Sequence, residues 1–120
     1  SNEHHQGLVL AKRAKKAACT EDAQQAWEEI RQRFAVEMEP HFRDEEARLL
    51  PALERAGEAE LVKRTLDEHI ELRRLIDENS VEAMIRFAGL LEQHIRFEER
   101  ELFEAAQQKL SPAELDQLAH

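Results

Sequence analysis

The chain has 120 residues and a mass of 14.0 kDa, a length that favours one domain spanning residues 1–120. Only 3 glycines and 3 prolines interrupt it and 42% of its residues are hydrophobic, so the composition favours packed long helices over all-β and doubly wound α/β folds. The net charge of −9 argues against a nucleic-acid partner. No apolar run approaches the ~20 residues of a membrane-spanning helix. The N-terminus shows no secretory pattern, so a cytoplasmic location without a membrane partner is expected.

Apolar residues recur at helical spacing in four stretches, the first over about 3–18. The second stretch follows Thr20, whose hydroxyl is expected to cap the free amides at the start of the helix. Pro40 lies inside this second pattern, where it removes one backbone hydrogen bond. A bent but continuous second helix is therefore expected around Pro40.

The next turn is expected between Pro51 and Gly57, and the third helix follows it. Ser80 is expected to cap the fourth helix. Ser111 is expected to open a short fifth helix, because proline follows it and glutamate stands at the third helical position. Together these elements predict an all-α fold, an up-down-up-down four-helix bundle with a short C-terminal fifth helix.

One motif occurs twice in the chain. Five residue types recur at the same offsets in helices 2 and 4, as His41-x-Arg43-x-Glu45-Glu46-x-x-Leu49 and His94-x-Arg96-x-Glu98-Glu99-x-x-Leu102. The repeat predicts two helical hairpins related by a pseudo-twofold axis.

Histidines occupy the apolar faces of three predicted helices, at His41, His69 and His94. Glu45 and Glu98 follow the first and last of these by four residues, which places each glutamate one turn from its histidine. Unpaired imidazoles and carboxylates in an apolar interior cost several kcal/mol, so a shared partner inside the bundle is expected.

Helix 1 offers two candidate donors, His4 and His5. The helical wheel favours His4, which clusters with the apolar residues, although fraying of the first turn leaves His5 open. The alternative is a set of core histidines that only hydrogen-bond to neighbouring acids. Imidazole and carboxylate without thiolate suit iron, manganese or zinc, and two glutamates placed to bridge favour a dinuclear iron or manganese centre.

With these residues the whole chain resembles the hemerythrin-like family, the HHE cation-binding domain. The resemblance implies a four-helix bundle around a non-haem centre of two iron ions bridged by carboxylates and an oxo or hydroxo group, with manganese as an alternative metal. It implies four terminal ligands and two bridges, namely His4, His41, His69 and His94 with Glu45 and Glu98.

Two positions depart from the oxygen-carrying members of the family, which have a further histidine one turn after His69, where this chain has Arg73. Arg73 is expected either to pair with Glu45, Glu98 or Glu68, or to be a surface cation. The last carboxylate of those carriers is an Asp five residues after its histidine, a position held here by Glu99. Glu98 lies closer to the His94 face than Glu99 does, and it is the predicted bridge.

Glu46 and Glu99 each stand directly after a predicted bridge. Each is expected either to hydrogen-bond a ligand imidazole or, like most acids on a charged helix face, to meet only water.

The ligand set of four histidines and two glutamates resembles the repair and sensing branches of the family more than the carriers. The expected function is therefore binding or sensing of O₂, NO or iron itself, with a diatomic gas as small-molecule partner. One alternative is a redox enzyme that uses the same two irons as an oxidase, a peroxide- or NO-reducing protein or an iron-centre repair protein. The other is a metal-free structural or interaction bundle. The sequence names no protein partner.

Overall fold

A computed structural model describes residues 2–118. This part of the chain is helical and contains no β-strand. Five helices follow one another in the order α1 (Asn2–Ala17), α2 (23–55), α3 (Ala59–Ile76), α4 (81–109) and α5 (Pro112–Leu118). The predicted fold class of a helical bundle with a short C-terminal helix is confirmed. None of the described helices is long and apolar enough to cross a membrane. The domain boundaries of 1–120 stay a prediction.

Helices α2 and α4 are continuous but contain wider π-helical turns. Three five-residue segments adopt this form, Phe34–Met38 and Glu45–Leu49 in α2 and Glu98–Leu102 in α4. At the end of each segment a backbone N–H donates to the carbonyl five residues earlier rather than four. An extra residue is thereby accommodated in each of these turns.

The two turns in α2 each lie just before a proline. Pro40 and Pro51 stand within the first two residues of the α-helical segments that follow. In a regular helix the proline ring collides with the carbonyl four residues back, and the wider turn relieves that collision. The helix expected to bend at Pro40 is indeed continuous. The turn expected between Pro51 and Gly57 lies at the Gly57 end of that range, because α2 runs on past Pro51 to Arg55 and the chain reverses at residues 56–58.

The π turns also keep residues that are four positions apart on the same, buried side of the helix. His94, Glu98, Leu102 and Ala106 are all buried on α4. In a regular α-helix each step of four residues rotates by about 40°, so such a row turns away from the core after three steps. Underwinding in the π segment offsets this drift and holds the row against the bundle interior.

Side-chain caps define some of the helix ends. Ser80 accepts a hydrogen bond from the Ala83 N–H at 3.1 Å, and Ser111 and Glu114 form a reciprocal capping box. The cap predicted at Thr20 is wrong: its hydroxyl donates to the Ala17 carbonyl at 2.8 Å and so finishes α1 rather than starting α2.

The four long helices form a ring in which α1 packs on α2 and α4, and α3 packs on α4 and the end of α2. Gly7 allows α1 to approach its neighbours closely, since a Cβ at this position would lie 2.5 Å from Ile95 Cδ1. This close approach fixes the depth of the first turn of α1.

The bundle has two apolar cores with a polar layer between them. One core surrounds Trp27, Phe34 and Phe87, and the other surrounds Leu53 and Leu102. On α2, α3 and α4 the buried histidine or glutamate side chains lie between residues of the two cores. This layer contains the candidate site.

Candidate metal centre

Six side chains from the four long helices meet in the polar layer. They form two groups of potential metal donors that share two carboxylates: His4, His41, Glu45 and Glu98, and Glu45, His69, His94 and Glu98. Within each group the donor atoms lie within 4.8 Å of one another. Opposite ligands of an ion with bonds of ~2.1 Å are about 4.2 Å apart, so each group has the dimensions of one coordination sphere.

Each of the four histidines directs Nε2 toward a shared carboxylate. The separations are 3.4 Å from His41 Nε2 to Glu45 Oε2, 3.2 Å from His69 Nε2 to Glu45 Oε1, 3.3 Å from His4 Nε2 to Glu98 Oε1 and 3.4 Å from His94 Nε2 to Glu98 Oε1. Adjacent ligands of an octahedral ion are about 3 Å apart. The spacing therefore leaves room for an ion beside each carboxylate, with Glu45 offering one oxygen to each histidine pair.

The inward-facing atoms fit a metal because they lack other partners. Among the described residues, Nε2 of His41, His69 and His94 and both carboxylate oxygens of Glu45 and Glu98 are buried without a hydrogen bond. A buried unpaired polar group costs about 1–3 kcal/mol, and a charged one costs more. Cations bound between these nitrogens and oxygens would satisfy all of them at once.

The two shared carboxylates are presented by the repeated motif. Glu45 and Glu98 are each the first residue of a π segment, and each carbonyl accepts the N–H of the residue five positions later, Leu50 or Phe103. The repeat seen in the sequence thus extends to the backbone, which forms the same π turn at both glutamates. It places the two glutamates in equivalent positions facing each other across the layer.

Two of the histidines are held by further carboxylates on neighbouring helices. His69 Nδ1 donates to Glu46 Oε2 at 2.7 Å, and His94 Nδ1 donates to Glu68 Oε1 at 2.7 Å. When the imidazole is neutral, these bonds place its proton on Nδ1 and leave Nε2 unprotonated and pointing into the layer. His4 Nδ1 lies 3.5 Å from Glu99 Oε1, whose side chain is half exposed.

Arg73 is neither the partner of Glu45, Glu98 or Glu68 nor a simple surface cation. It donates to Glu39 through Nε at 3.0 Å and to Glu46 through Nη1 at 2.8 Å. The guanidinium lies one turn after His69. It fixes the position of the Glu46 carboxylate, which accepts the hydrogen bond from His69. The sequence interpretation of Arg73 was wrong because the rotation of α2 relative to α3 decides which glutamates of α2 face this guanidinium.

Burial and neighbouring charges act against each other in the pKa values of the layer. Burial lowers the pKa of His94, but the hydrogen bond to Glu68 and the nearby Glu98 carboxylate outweigh it and raise this pKa to about 9. Burial raises the pKa of Glu45, and the adjacent Glu98 carboxylate raises it further. Without a metal, the layer therefore holds protons near neutral pH that an incoming cation must displace.

Aromatic rings close the layer from the apolar side. The Phe42 ring stacks on the His69 ring with centroids 3.9 Å apart, and the Phe103 ring stacks on His4 at 5.1 Å. Arg64 covers the Phe97 ring at 3.9 Å. These rings restrict the histidine rotamers and exclude water from most of the layer.

The geometry resolves two alternatives about which side chains face the layer. His4 is 2% exposed and lies in the layer, whereas His5 is exposed. Glu98 is 1% exposed and also lies there, whereas Glu99 is half exposed at the edge of the layer, beside His4 Nδ1. Metal ligation by the six predicted residues stays a prediction.

A donor layer of four imidazoles and two shared carboxylates within one helical bundle agrees with the result of family comparison. The family model described as the hemerythrin HHE cation binding domain matches residues 1–106. The chain belongs to the hemerythrin family. Neither the curated proteins nor the solved structures gave a significant match. Family membership supports cation binding by this hemerythrin domain, and the polar layer supplies groups of residues that can hold the cations.

Sequence reasoning identified the inward-facing donors but missed most of their supporting partners. Glu46 follows a predicted bridge and so has a local signal, whereas the roles of Glu68 and Glu39 have none. Each of these two bonds to a residue on a different helix, His94 or Arg73. Only the rotation and depth of neighbouring helices create these pairs.

Proposed function

We propose that this hemerythrin domain binds two iron ions through His4, His41, His69, His94, Glu45 and Glu98, and that it binds or senses O₂, NO or iron. The observation that carries the proposal is that two donor groups share two carboxylates, and that Nε2 of His41, His69 and His94 and the oxygens of both carboxylates are buried and unpaired. A single cation would occupy only one of the two donor groups. Two cations side by side satisfy both pairs.

The chemical character of the donors supports iron. Imidazole nitrogen and carboxylate oxygen without sulfur suit iron, manganese and zinc, and carboxylates that face two histidine pairs suit a pair of such ions. The family favours iron, with manganese as the substitute when iron is scarce. When bound, such a pair supplies a redox-active centre with positions open to a small ligand.

The residues of the chain restrict what can reach this centre. The His69 and His94 side chains are fully buried, and that of His41 is 16% exposed. Phe42 is fully buried over one side of the layer. A diatomic gas is small enough for such a site, and the partly exposed edge at His41 is the natural approach for it.

Iron reconstitution tests the proposal. Apoprotein loaded with iron under anaerobic conditions should contain two irons per chain by metal analysis. Its free energy of unfolding should rise by about 2.7 kcal/mol for each site at which free iron is 100 times the dissociation constant. His69→Gln should abolish two-iron binding, whereas His5→Gln, at an exposed position in the same first turn as His4, should bind as the native protein does. Protein that stays metal-free with an unchanged melting temperature would contradict the proposal and favour a structural bundle.

Ligand titration separates sensing from turnover. The iron-loaded protein should give a saturable absorption change with O₂ or NO, without continuing consumption of an added reductant. Sustained consumption of reductant and gas would instead assign the domain to the redox-enzyme class.

A further inference from the structure

The two donor groups differ in how deeply they are buried. We call the space between His69 and His94 the inner position and the space between His4 and His41 the outer position; Glu45 and Glu98 belong to both. The inner histidine side chains are 0% exposed, whereas those of the outer pair are 3% exposed at His4 and 16% exposed at His41. His4 belongs to the first turn of α1, where backbone N–H groups lack intrahelical partners and order is weakest.

Both inner histidines are supported by a chain of arginine, glutamate and imidazole. On one side Arg73 donates two hydrogen bonds to Glu46, at 2.8 and 3.2 Å, and Glu46 accepts from His69 at 2.7 Å. On the other side Arg64 donates to Glu68 at 3.1 Å, and Glu68 accepts from His94 at 2.7 Å. Because each glutamate is held by an arginine, its oxygen is fixed where the imidazole needs it.

The carboxylate beside the outer position is less firmly held. Glu99 lies 3.5 Å from His4 Nδ1, and its side chain is 48% exposed. Within residues 2–118 no arginine forms an ion pair with Glu99. In the same part of the chain His41 forms an ion pair with Glu45 alone, which is a shared carboxylate.

Carboxylates behind metal-bound imidazoles orient the ring and raise its basicity, and losing one typically lowers metal affinity 10- to 100-fold. We propose that the two positions fill in sequence: the inner position binds its ion first and retains it, and the outer position fills last and exchanges its ion. The inference rests on the proposed two-metal function. The fraction of protein with an ion in the outer position then changes with the free metal concentration, while the inner position stays filled.

The order of filling can be observed directly in the unmodified protein. Apoprotein should bind Mn²⁺ in two calorimetric steps whose dissociation constants differ at least tenfold. Crystals grown with one equivalent of Mn²⁺ should show anomalous density between His69 and His94 and little between His4 and His41. Equal density at both positions, density at the outer position first or two identical steps would overturn the inference while leaving two-metal binding intact. Absence of any Mn²⁺ or iron binding would overturn the proposed function as well.

A charge-removing variant tests the supporting chain. Glu46→Gln keeps the size of the side chain but removes its charge, and it should weaken the first Mn²⁺ step by 10- to 100-fold, so that the two steps converge. Glu92→Gln is the matched control, because Glu92 is a half-exposed glutamate paired only with Arg96 within the described residues. It should leave both steps unchanged. A first step that is equally strong in Glu46→Gln and in the native protein would refute the role assigned to the arginine-glutamate chain.

Discussion

The metal-free protein should lose stability as the pH rises from about 6.5 to 9, and His94 is the main cause. Burial opposes the charge on this imidazole, yet the hydrogen bond to Glu68 and the nearby Glu98 carboxylate raise its pKa from 6.5 to about 9. A group whose pKa is raised in the folded state contributes its full stabilisation when the pH is below its pKa in the unfolded state, here 6.5. That contribution disappears as the pH passes through about 9. The difference corresponds to about 3 kcal/mol.

Other titrating groups do not reverse this slope. The pKa of His41 is also raised, against the effect of burial, by its interaction with Glu45, so it adds in the same direction. Burial raises the pKa values of Glu46 and Glu68, but their arginine and histidine partners outweigh it and lower both below the ordinary value. Their contributions are therefore constant above pH 6.5.

The metal-loaded protein should show the opposite trend. A metal binds neutral imidazole, so each protonated histidine must release its proton and metal affinity rises with pH. The assay is guanidinium denaturation of chelator-treated and metal-loaded protein between pH 6 and 9.5, with His94→Gln as the control. The metal-free native protein should lose about 3 kcal/mol across this range, and the variant should lose much less. A flat or rising profile for the metal-free protein, or an equal slope in His94→Gln, would refute the reasoning.

Further substitutions test the packing and the shared carboxylates. Gly7→Ala places a Cβ 2.5 Å from Ile95 Cδ1 and should lower both the melting temperature and the metal affinity. Gly89→Ala is the control, because its Cβ would meet no atom within 4 Å, and it should stabilise α4 by up to about 1 kcal/mol. Phe42→Ala removes a fully buried ring and should cost about 3–5 kcal/mol in denaturant unfolding, and a loss below about 1 kcal/mol would contradict its assigned packing. Glu45→Gln should reduce metal analysis from two ions per chain to one or none, because it removes a carboxylate shared by both groups; retention of two ions would show that it does not bridge.

Local patterns were sufficient for the helices and for the residues that face inward. Periodicity identifies the buried faces, and a histidine on such a face with a glutamate four residues on implies a shared polar interior. The repeat around His41 and His94 predicted two equivalent hairpins, and both motifs lead into π turns. The capping residues Ser80 and Ser111 act within one turn of their own helices, so the sequence is enough to predict them.

What the sequence could not determine depends on contacts between helices. The continuity of α2 past Pro51 follows from a π turn that places a period-four row of side chains against the core, and the local proline signal predicts a break instead. The role of Arg73 follows from Glu39 and Glu46 on α2, more than 25 positions away along the chain. Such pairs depend on how two helices are rotated and how closely they approach, and the bundle as a whole sets both quantities. The sequence by itself therefore determined which donors point inward, and the tertiary structure decided which carboxylates and arginines hold them there.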